Sequence, residues 1–241
     1  MKLKLADKRL EAKGTKSFFW ESEKPLNYLP GQYFYFTIPK LNYPDPRGAT
    51  RHFTLSSSPT EPPLIRNTTR IREESGYKKT LDELEIGTTI EGEGPNGTFV
   101  LDEAEKGPHV LLAGGIGITP FRSIIKYSLD KSLVASIILI YSCSVPEEII
   151  FRKELEGYAD LTQNLKLYLT VSQPGKTKNG WTGLTGRIDE GMIKKLIPDY
   201  SSLNPTFWLC GPPPMVEAME QVLGNLNISS GKVRSEKFTG Y

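Results

Sequence analysis

The run Leu112-Ala113-Gly114-Gly115-Ile116-Gly117-Ile118-Thr119-Pro120 limits what this chain can fold into more than any other segment. It joins a short apolar strand pattern, Val110 to Ala113, to a helical pattern from Pro120 to Leu129. Three glycines let the backbone turn sharply and approach another group with no Cβ in the way. Thr119 is placed to cap the helix and Pro120 to occupy its first position. Free amides at such a helix start favour an anion, and a pyrophosphate is the natural guest. A glycine-rich turn with no ligand is the plain alternative. The loop's place in the first strand–helix unit of a sheet favours the ligand.

The chain on either side of this loop follows two grammars. Up to about Leu101, short β-branched and aromatic runs predict strands at Lys2 to Arg9, Ser17 to Glu23, Gln32 to Ile38, Arg51 to Leu55, Thr68 to Glu73 and Thr89 to Glu93. Leu29-Pro30-Gly31, Asn42 to Pro46 and Gly94-Pro95-Asn96-Gly97 read as turns. One helical stretch, Thr80 to Leu84, interrupts them. This pattern predicts a small antiparallel β-barrel. From His109 onward, strands at Val110 to Ala113, Ser136 to Tyr141, Leu165 to Val171, Phe207 to Leu209 and Lys232 to Phe238 alternate with helices. The helices fall at Pro120 to Leu129, Pro146 to Tyr158, Asp189 to Leu196 and Met215 to Leu223. Alternation of this kind predicts a doubly wound parallel sheet. The expected organisation is therefore a barrel domain at 1–104 and an α/β domain at 105–241, parted at the polar stretch Asp102 to Pro108.

Composition bounds the partners. With 38% hydrophobic and 24% charged residues and a net charge of +2, the chain reads as an ordinary soluble protein. Its lysines and arginines are interleaved with acids, so no basic stripe for nucleic acid is present. The longest apolar run, around Ser136 to Ile140, is too short to span a bilayer, and the N-terminus lacks a signal-peptide core. Cys143 and Cys210 are the only cysteines, which excludes a disulfide framework and an all-cysteine cluster. The expected location is a reducing compartment, the cytoplasm.

A second strand-to-helix junction, Trp208-Leu209-Cys210-Gly211-Pro212-Pro213-Pro214-Met215, belongs to the same sheet and opens into the same crevice. Taken with Arg51-His52-Phe53-Thr54, Gly94-Pro95-Asn96-Gly97, the 114–120 loop and Glu236-Lys237-Phe238, it completes a set of motifs in characteristic order. On these the chain resembles the ferredoxin–NADP(+) reductase-like superfamily of flavoproteins over nearly its whole length, in the form of a stand-alone reductase without an iron–sulfur domain of its own.

The resemblance implies a flavin on the barrel. Arg51 would pair with the flavin phosphate, Phe53 would offer its ring to the isoalloxazine in place of the usual tyrosine, and Thr54 would reach the flavin N5 edge. His52 lies in the same strand and reads as exposed or structural. A second flavin segment resembles Thr68-Thr69-Arg70-Ile71, followed by Tyr77-Lys78-Lys79-Thr80. Lys78 falls where many members place a hydroxyl residue in the turn that grips the FAD pyrophosphate; FAD is expected, with FMN the second choice. In the other half, Gly115, Gly117, Ile118, Thr119 and Pro120, together with Cys210, Gly211, Pro212 and Met215, would hold NADH or NADPH. Thr54, Cys210 and Glu236 would surround the point of hydride transfer, with Phe238, or Tyr241 beyond it, covering the flavin.

Glu147 and Glu148 follow the second strand of the α/β half with no arginine immediately after it, which leans toward NADH. The expected electron acceptor is a separate ferredoxin, flavodoxin or oxygenase component. The rival readings are a free-flavin or ferric-chelate reductase of the same fold and a non-catalytic flavin-binding electron-transfer subunit.

Overall fold

In a computed structural model of the chain, residues 1–105, 107–176 and 180–239 are described. The first half contains β1 (Lys2–Ala12), β2 (Thr15–Ser22), β3 (Tyr33–Thr37), β4 (Thr50–Thr54), β5 (Leu64–Arg70), α1 (Gly76–Glu83) and β6 (Thr89–Asn96). The strands pair antiparallel in the order β4-β3-β6-β1-β2-β5. An antiparallel bridge from Leu55 to Asn67 brings the two outer strands together where β4 ends and gives the sheet its barrel form. Alternation along β3 sends Phe34 and Phe36 inward, onto Leu3, Leu5, Phe18, Trp20 and Phe53, and leaves Tyr33 and Tyr35 outward, where their hydroxyls keep water.

Two local expectations fail here. β5 starts at Leu64, four residues earlier than its sequence suggests, because Arg66, Asn67, Thr68 and Thr69 are all buried, covered on both faces, and show no polar–apolar alternation. Gly94-Pro95-Asn96 is the end of β6 and not a turn, and Gly94 lies so close to Phe34 that a Cβ would sit 2.6 Å from its ring.

The second half contains β7 (His109–Gly114), α2 (Ile118–Asp130), β8 (Ile137–Cys143), α3 (Arg152–Leu161), β9 (Leu165–Val171), β10 (Leu184–Thr185), α4 (Glu190–Leu196), α5 (Tyr200–Leu203), β11 (Thr206–Gly211), α6 (Pro213–Asn225) and β12 (Val233–Lys237). All six strands are parallel, in the order β10-β9-β8-β7-β11-β12. The chain leaves β7 in one direction and returns on its other side, so the switch point lies between β7 and β11. The single helix expected over 146–158 is broken. A 3-10 turn spans Pro146–Glu148, and Phe151 adopts a left-handed φ of 58° before α3 begins. Ile149, Ile150 and Phe151 are all buried, and three consecutive apolar residues cannot face one side of a helix.

The two halves are joined by a charge network. Arg122 of α2, 2% exposed, donates to the Ser56 carbonyl at 3.0 Å and to both carboxylate oxygens of Glu61 on the barrel. It also donates to Glu154 and to the Tyr158 hydroxyl on α3. Arg66 of β5 joins Glu11 and Glu154 to the same network. Phe99 and Leu101, which follow the barrel strands, are buried in the core of the α/β half, where Phe99 meets Trp208 edge-on with 5.1 Å between ring centroids.

Candidate active site

The glycine loop closes against the loop after β11. Gly115 has φ 53°, which a residue with a side chain rarely adopts, and Gly115–Gly117 form one 3-10 turn. A Cβ on Gly117 would sit 2.2 Å from the Cys210 carbonyl oxygen, so only glycine permits this approach. On the other side, a Cβ on Gly211 would lie 2.9 Å from the Met215 sulfur and 3.2 Å from the Gly114 carbonyl oxygen. The two turns therefore open on the same side of the sheet, at its switch point. A cavity of about 400 Å³ begins between them and runs past Ser144 and Gln173 to Arg187. Its size and its glycine-lined floor suit an extended phosphate-bearing ligand.

The 3-10 turn shifts the start of α2. Its N-cap is Gly117, with no side-chain cap; Thr119 and Pro120 are the second and third residues of the helix, not its cap and first residue. The buried Thr119 hydroxyl donates back to the Ile116 carbonyl at 3.1 Å. Pro120 is tolerated because first-turn amides have no intrahelical acceptor. Ile118 is fully buried and packs into the core below the loop.

At the barrel end of the crevice, Cys210 on β11 lies beside Glu236 on β12. Burial pushes the Cys210 thiol well above its ordinary pKa, and the Glu236 carboxylate adds to that. Glu236 is itself raised to about 7 by burial, and its Oε2 is buried with no hydrogen-bond partner. The ring of Phe238 packs in the same apolar cluster as Cys210 and Trp208, and its amide donates to the Gly211 carbonyl at 2.9 Å. Across the crevice stand Tyr33 and Thr54, paired between β3 and β4. The Tyr33 phenol is raised by its hydrogen bond to Tyr35, by burial and by the negative charges of Tyr35 and Glu236, which places Glu236 in its field.

Outward from Tyr33 runs an aromatic shelf. The ring of His52 lies 5.2 Å from Tyr33 and 5.8 Å from Tyr35, and the two tyrosines meet edge-on at 5.6 Å. Burial and the positive charge of Arg47 both lower the His52 pKa. Beyond the shelf, Lys78 is lowered to about 8 by burial and by Arg72, Arg47 and Arg51. Arg72 keeps its Nε buried without a hydrogen-bond partner. A surface of tilted and edge-on rings with cations near it can border a ring ligand that carries phosphate.

Comparison with known proteins agrees with this layout. Residues 111–221 match the oxidoreductase NAD-binding domain family. The glycine betaine monooxygenase reductase subunit of Chromohalobacter salexigens is 26% identical over 92% of this chain and 60% of its own length. The stachydrine N-demethylase reductase subunit of Rhizobium meliloti is 29% identical over 93% of this chain and 62% of its own. The chain thus spans less than two thirds of these relatives. The cytochrome b5 reductase domain of Ulva prolifera nitrate reductase superposes with a TM-score of 0.83 at 23% identity, covering 98% of this chain and 96% of that domain. Over residues 111–221 the chain matches the oxidoreductase NAD-binding domain family, and over most of its length it is similar to reductase subunits and shares the fold of a cytochrome b5 reductase domain.

Within the superfamily pattern, several residues stand elsewhere than the motifs suggest. Arg51, 7% exposed, is bound by Asp45 at 2.5 Å and donates to the carbonyls of Arg47, Gly48 and Thr50, so its guanidinium is turned into the protein. Phe53 is buried in the barrel core against Phe36 and Tyr77 and presents no ring face to the crevice. The rings on the outer face of these strands are His52, Tyr33 and Tyr35. Thr68 and Thr69 are buried, and the Thr68 hydroxyl is hydrogen-bonded to Ser17 and Ser56. Arg70 reaches the dinucleotide cavity beside Gly115 and pairs with Glu148 at 3.1 Å. That pairing engages Glu148, one of the two acids, with Glu147, from which the lean to NADH is drawn. Tyr241, the second candidate cover, lies outside the described residues.

Sequence reading missed Tyr33, Tyr35 and Arg72. The Tyr-Phe-Tyr-Phe alternation at 33–36 carries the signal for the first two, since strand alternation sends the phenols to the polar face. Arg72 has no local signal. Among the described residues, no helix is long and apolar enough to cross a membrane.

Proposed function

We propose that this chain is an NAD(P)H-dependent flavoprotein reductase, which takes hydride from NADH or NADPH onto a bound FAD and passes electrons to a separate redox protein. The observation that carries this reading is the meeting of two sites at one crevice. The cavity is lined by Gly114, Gly115, Pro212 and Met215 of the two glycine turns, which meet where Gly117 abuts the Cys210 carbonyl, and Glu236 beside Cys210 lies in the field of Tyr33 on the barrel. The Oε2 of Glu236 and the Nε of Arg72, which lines the cavity at the glycine loop, are buried without hydrogen-bond partners and are groups that a bound ligand would satisfy.

The flavin, when bound, supplies a two-electron acceptor that can release electrons one at a time. The residues of the chain position and insulate it. Tyr33, Tyr35 and His52 give its ring an apolar bed, and Thr54 offers a hydroxyl at the crevice. Gly115, Gly117 and the start of α2 hold the dinucleotide phosphates, with Pro212 and Met215 as the opposite wall. Buried Cys210 stays a neutral thiol and so adds no charge where nicotinamide must pack. Near pH 7 Glu236 is poised between its two forms, so it can hold or release a proton at Oε2 beside the reacting centre. Phe238 covers Cys210 and must yield to a nicotinamide ring.

The reductase subunits among the relatives support an oxygenase component as the acceptor, with a ferredoxin or flavodoxin as further candidates. The test is an absorption spectrum of the purified protein followed by anaerobic addition of each nicotinamide. Yellow protein bleached by NADH or NADPH is the expected result; yellow protein bleached by neither would refute it. The engagement of Arg51 by Asp45 favours one rival, in which flavin comes and goes as substrate. Colourless protein whose turnover depends on added flavin is that rival's signature.

A further inference from the structure

β12 is the edge strand of the parallel sheet, paired with β11. Strand alternation puts Arg234 and Glu236 on one face of it, opposite Trp208 and Cys210 of β11. Ser235 and Lys237 take the other face, where they bind Glu217 and Glu220 of α6. The Oε2 of Glu236 is buried with no hydrogen-bond partner, so the place of this carboxyl is set by the strand that carries it. The titratable groups that face it are Cys210 from β11 and Tyr33 from the barrel.

Arg234 ties that strand to the segment leaving the barrel. Its guanidinium lies over the Trp208 indole, 4.4 Å from the ring centroid. It pairs with Glu105 and donates to the Val100 carbonyl at 3.4 Å. The same segment is fixed to Trp208 from its other side, where Phe99 meets the indole edge-on. The indole N–H donates to Nδ1 of His109 at 3.3 Å, so Nε2 of that ring carries the proton and donates to the Glu105 carbonyl, also at 3.3 Å. Glu105 is thus held twice, through its backbone and its side chain. Its Oε2 is buried without a hydrogen-bond partner, and loss of Arg234 would leave the carboxylate without its paired cation as well.

We propose that Arg234 is a positioning residue of the reaction centre: by clasping the segment between Val100 and Glu105 it holds β12 in place and keeps the Glu236 carboxyl dry beside Cys210. Its part in turnover rests on the flavin reading above; its effect on Glu236 does not.

The first arm of the test needs no flavin. Burial raises Glu236 to about 7, against about 4.3 in an unfolded chain, so wild-type protein should lose melting temperature relative to Glu236→Gln as pH rises between those values. Adding Arg234→Gln to both proteins should at least halve that relative loss, because a carboxyl released to water ionises at little cost. Removing a cation that acts through charge alone has the opposite sign and would widen the loss. In the second arm, Arg234→Gln and Glu105→Gln should slow bleaching of bound flavin by NADH or NADPH about tenfold, since a misplacement of about 1 Å can cost about a hundredfold. The nicotinamide dissociation constant should change less than about twofold. A relative loss that is unchanged or widened overturns the proposal whatever the rate does, and so does an unaltered bleaching rate. Should Arg234→Gln fail to fold, Arg234→Lys carries the same comparison, because it keeps the charge and loses the planar fork. Wild-type protein bleached by neither nicotinamide, or no faster than Glu236→Gln, refutes the flavin reading or the part Glu236 plays in it. The melts then stand alone: a halved loss supports the clasp and an unchanged one overturns it.

Discussion

Replacing Arg122 by methionine keeps most of the side-chain volume and removes the cation that hydrogen-bonds both Glu61 of the barrel and Glu154 of α3. Arg122 is 2% exposed, and it also donates to the Ser56 carbonyl and the Tyr158 hydroxyl. Breaking a fully buried pair by removing one partner costs about 3–5 kcal/mol, because the other charge is left without compensation. Glu61 and Glu154 retain 26% and 30% exposure, so water can partly screen them, and Glu154 keeps Arg66 as a neighbour at 3.4 Å. The low end, about 3 kcal/mol, is therefore expected. For a chain of this size that corresponds to a fall in melting temperature of roughly 6–12 °C.

The pH dependence supplies a stricter check. Burial would raise both carboxyls, but the hydrogen bonds and charge of Arg122, with Arg66, hold Glu61 and Glu154 below the ordinary glutamate value of about 4.3. Groups with depressed pKa stabilise the fold above their unfolded value and lose that contribution as pH falls through the folded one. The gap between wild type and Arg122→Met, followed by circular dichroism melts, should thus be widest near pH 7 and narrow below about pH 4. A gap under about 1 kcal/mol at pH 7, or one that does not change with pH, would refute the assignment of this network as the tie between barrel and sheet.

Two further changes probe the crevice itself. Burial raises Glu236 to about 7, so the folded chain holds a proton that the unfolded chain releases near 4.3, and stability from this source falls as pH rises between those values. Glu236→Gln is always neutral, so wild type should lose melting temperature relative to it between pH 5 and pH 8; parallel curves would show that Glu236 is not buried in its charged form. Gly117→Ala forces a Cβ to within 2.2 Å of the Cys210 carbonyl oxygen and should cost about 1–3 kcal/mol while weakening NADH or NADPH binding. Gly157→Ala, in open space on α3, should instead gain about 0.5–1 kcal/mol, and urea unfolding of both variants measures the contrast.

What the sequence by itself determined rests on local properties. The strand Leu165 to Val171 could be bounded to the residue, and β7 and β8 to within two, because the first alternates between Leu165, Leu167 and Leu169 while the other two are apolar runs between turn residues, patterns with few alternatives in a parallel sheet. The glycines at 115 and 117 could be recognised because a positive φ and a backbone contact each demand the absence of a side chain. The neighbourhood of Cys210 and Glu236 came from resemblance, and strand pairing in the structure places them side by side.

Tertiary structure alone decided which way β4 faces. Alternation separates Arg51 and Phe53 from His52 and Thr54, but it does not say which pair is inside when both faces carry an aromatic and a polar residue. Pairing with β3 settles the matter: Phe34 and Phe36 fill the barrel opposite Phe53 and Arg51, which sends His52 out beside Tyr33 and Tyr35. The same holds for the buried carboxylate of Asp45, thirty residues before the Ser75 hydroxyl it accepts from. No periodicity links those two positions; only closure of the barrel brings them together, since a charge so deeply buried is stable only where folding has assembled its donors around it.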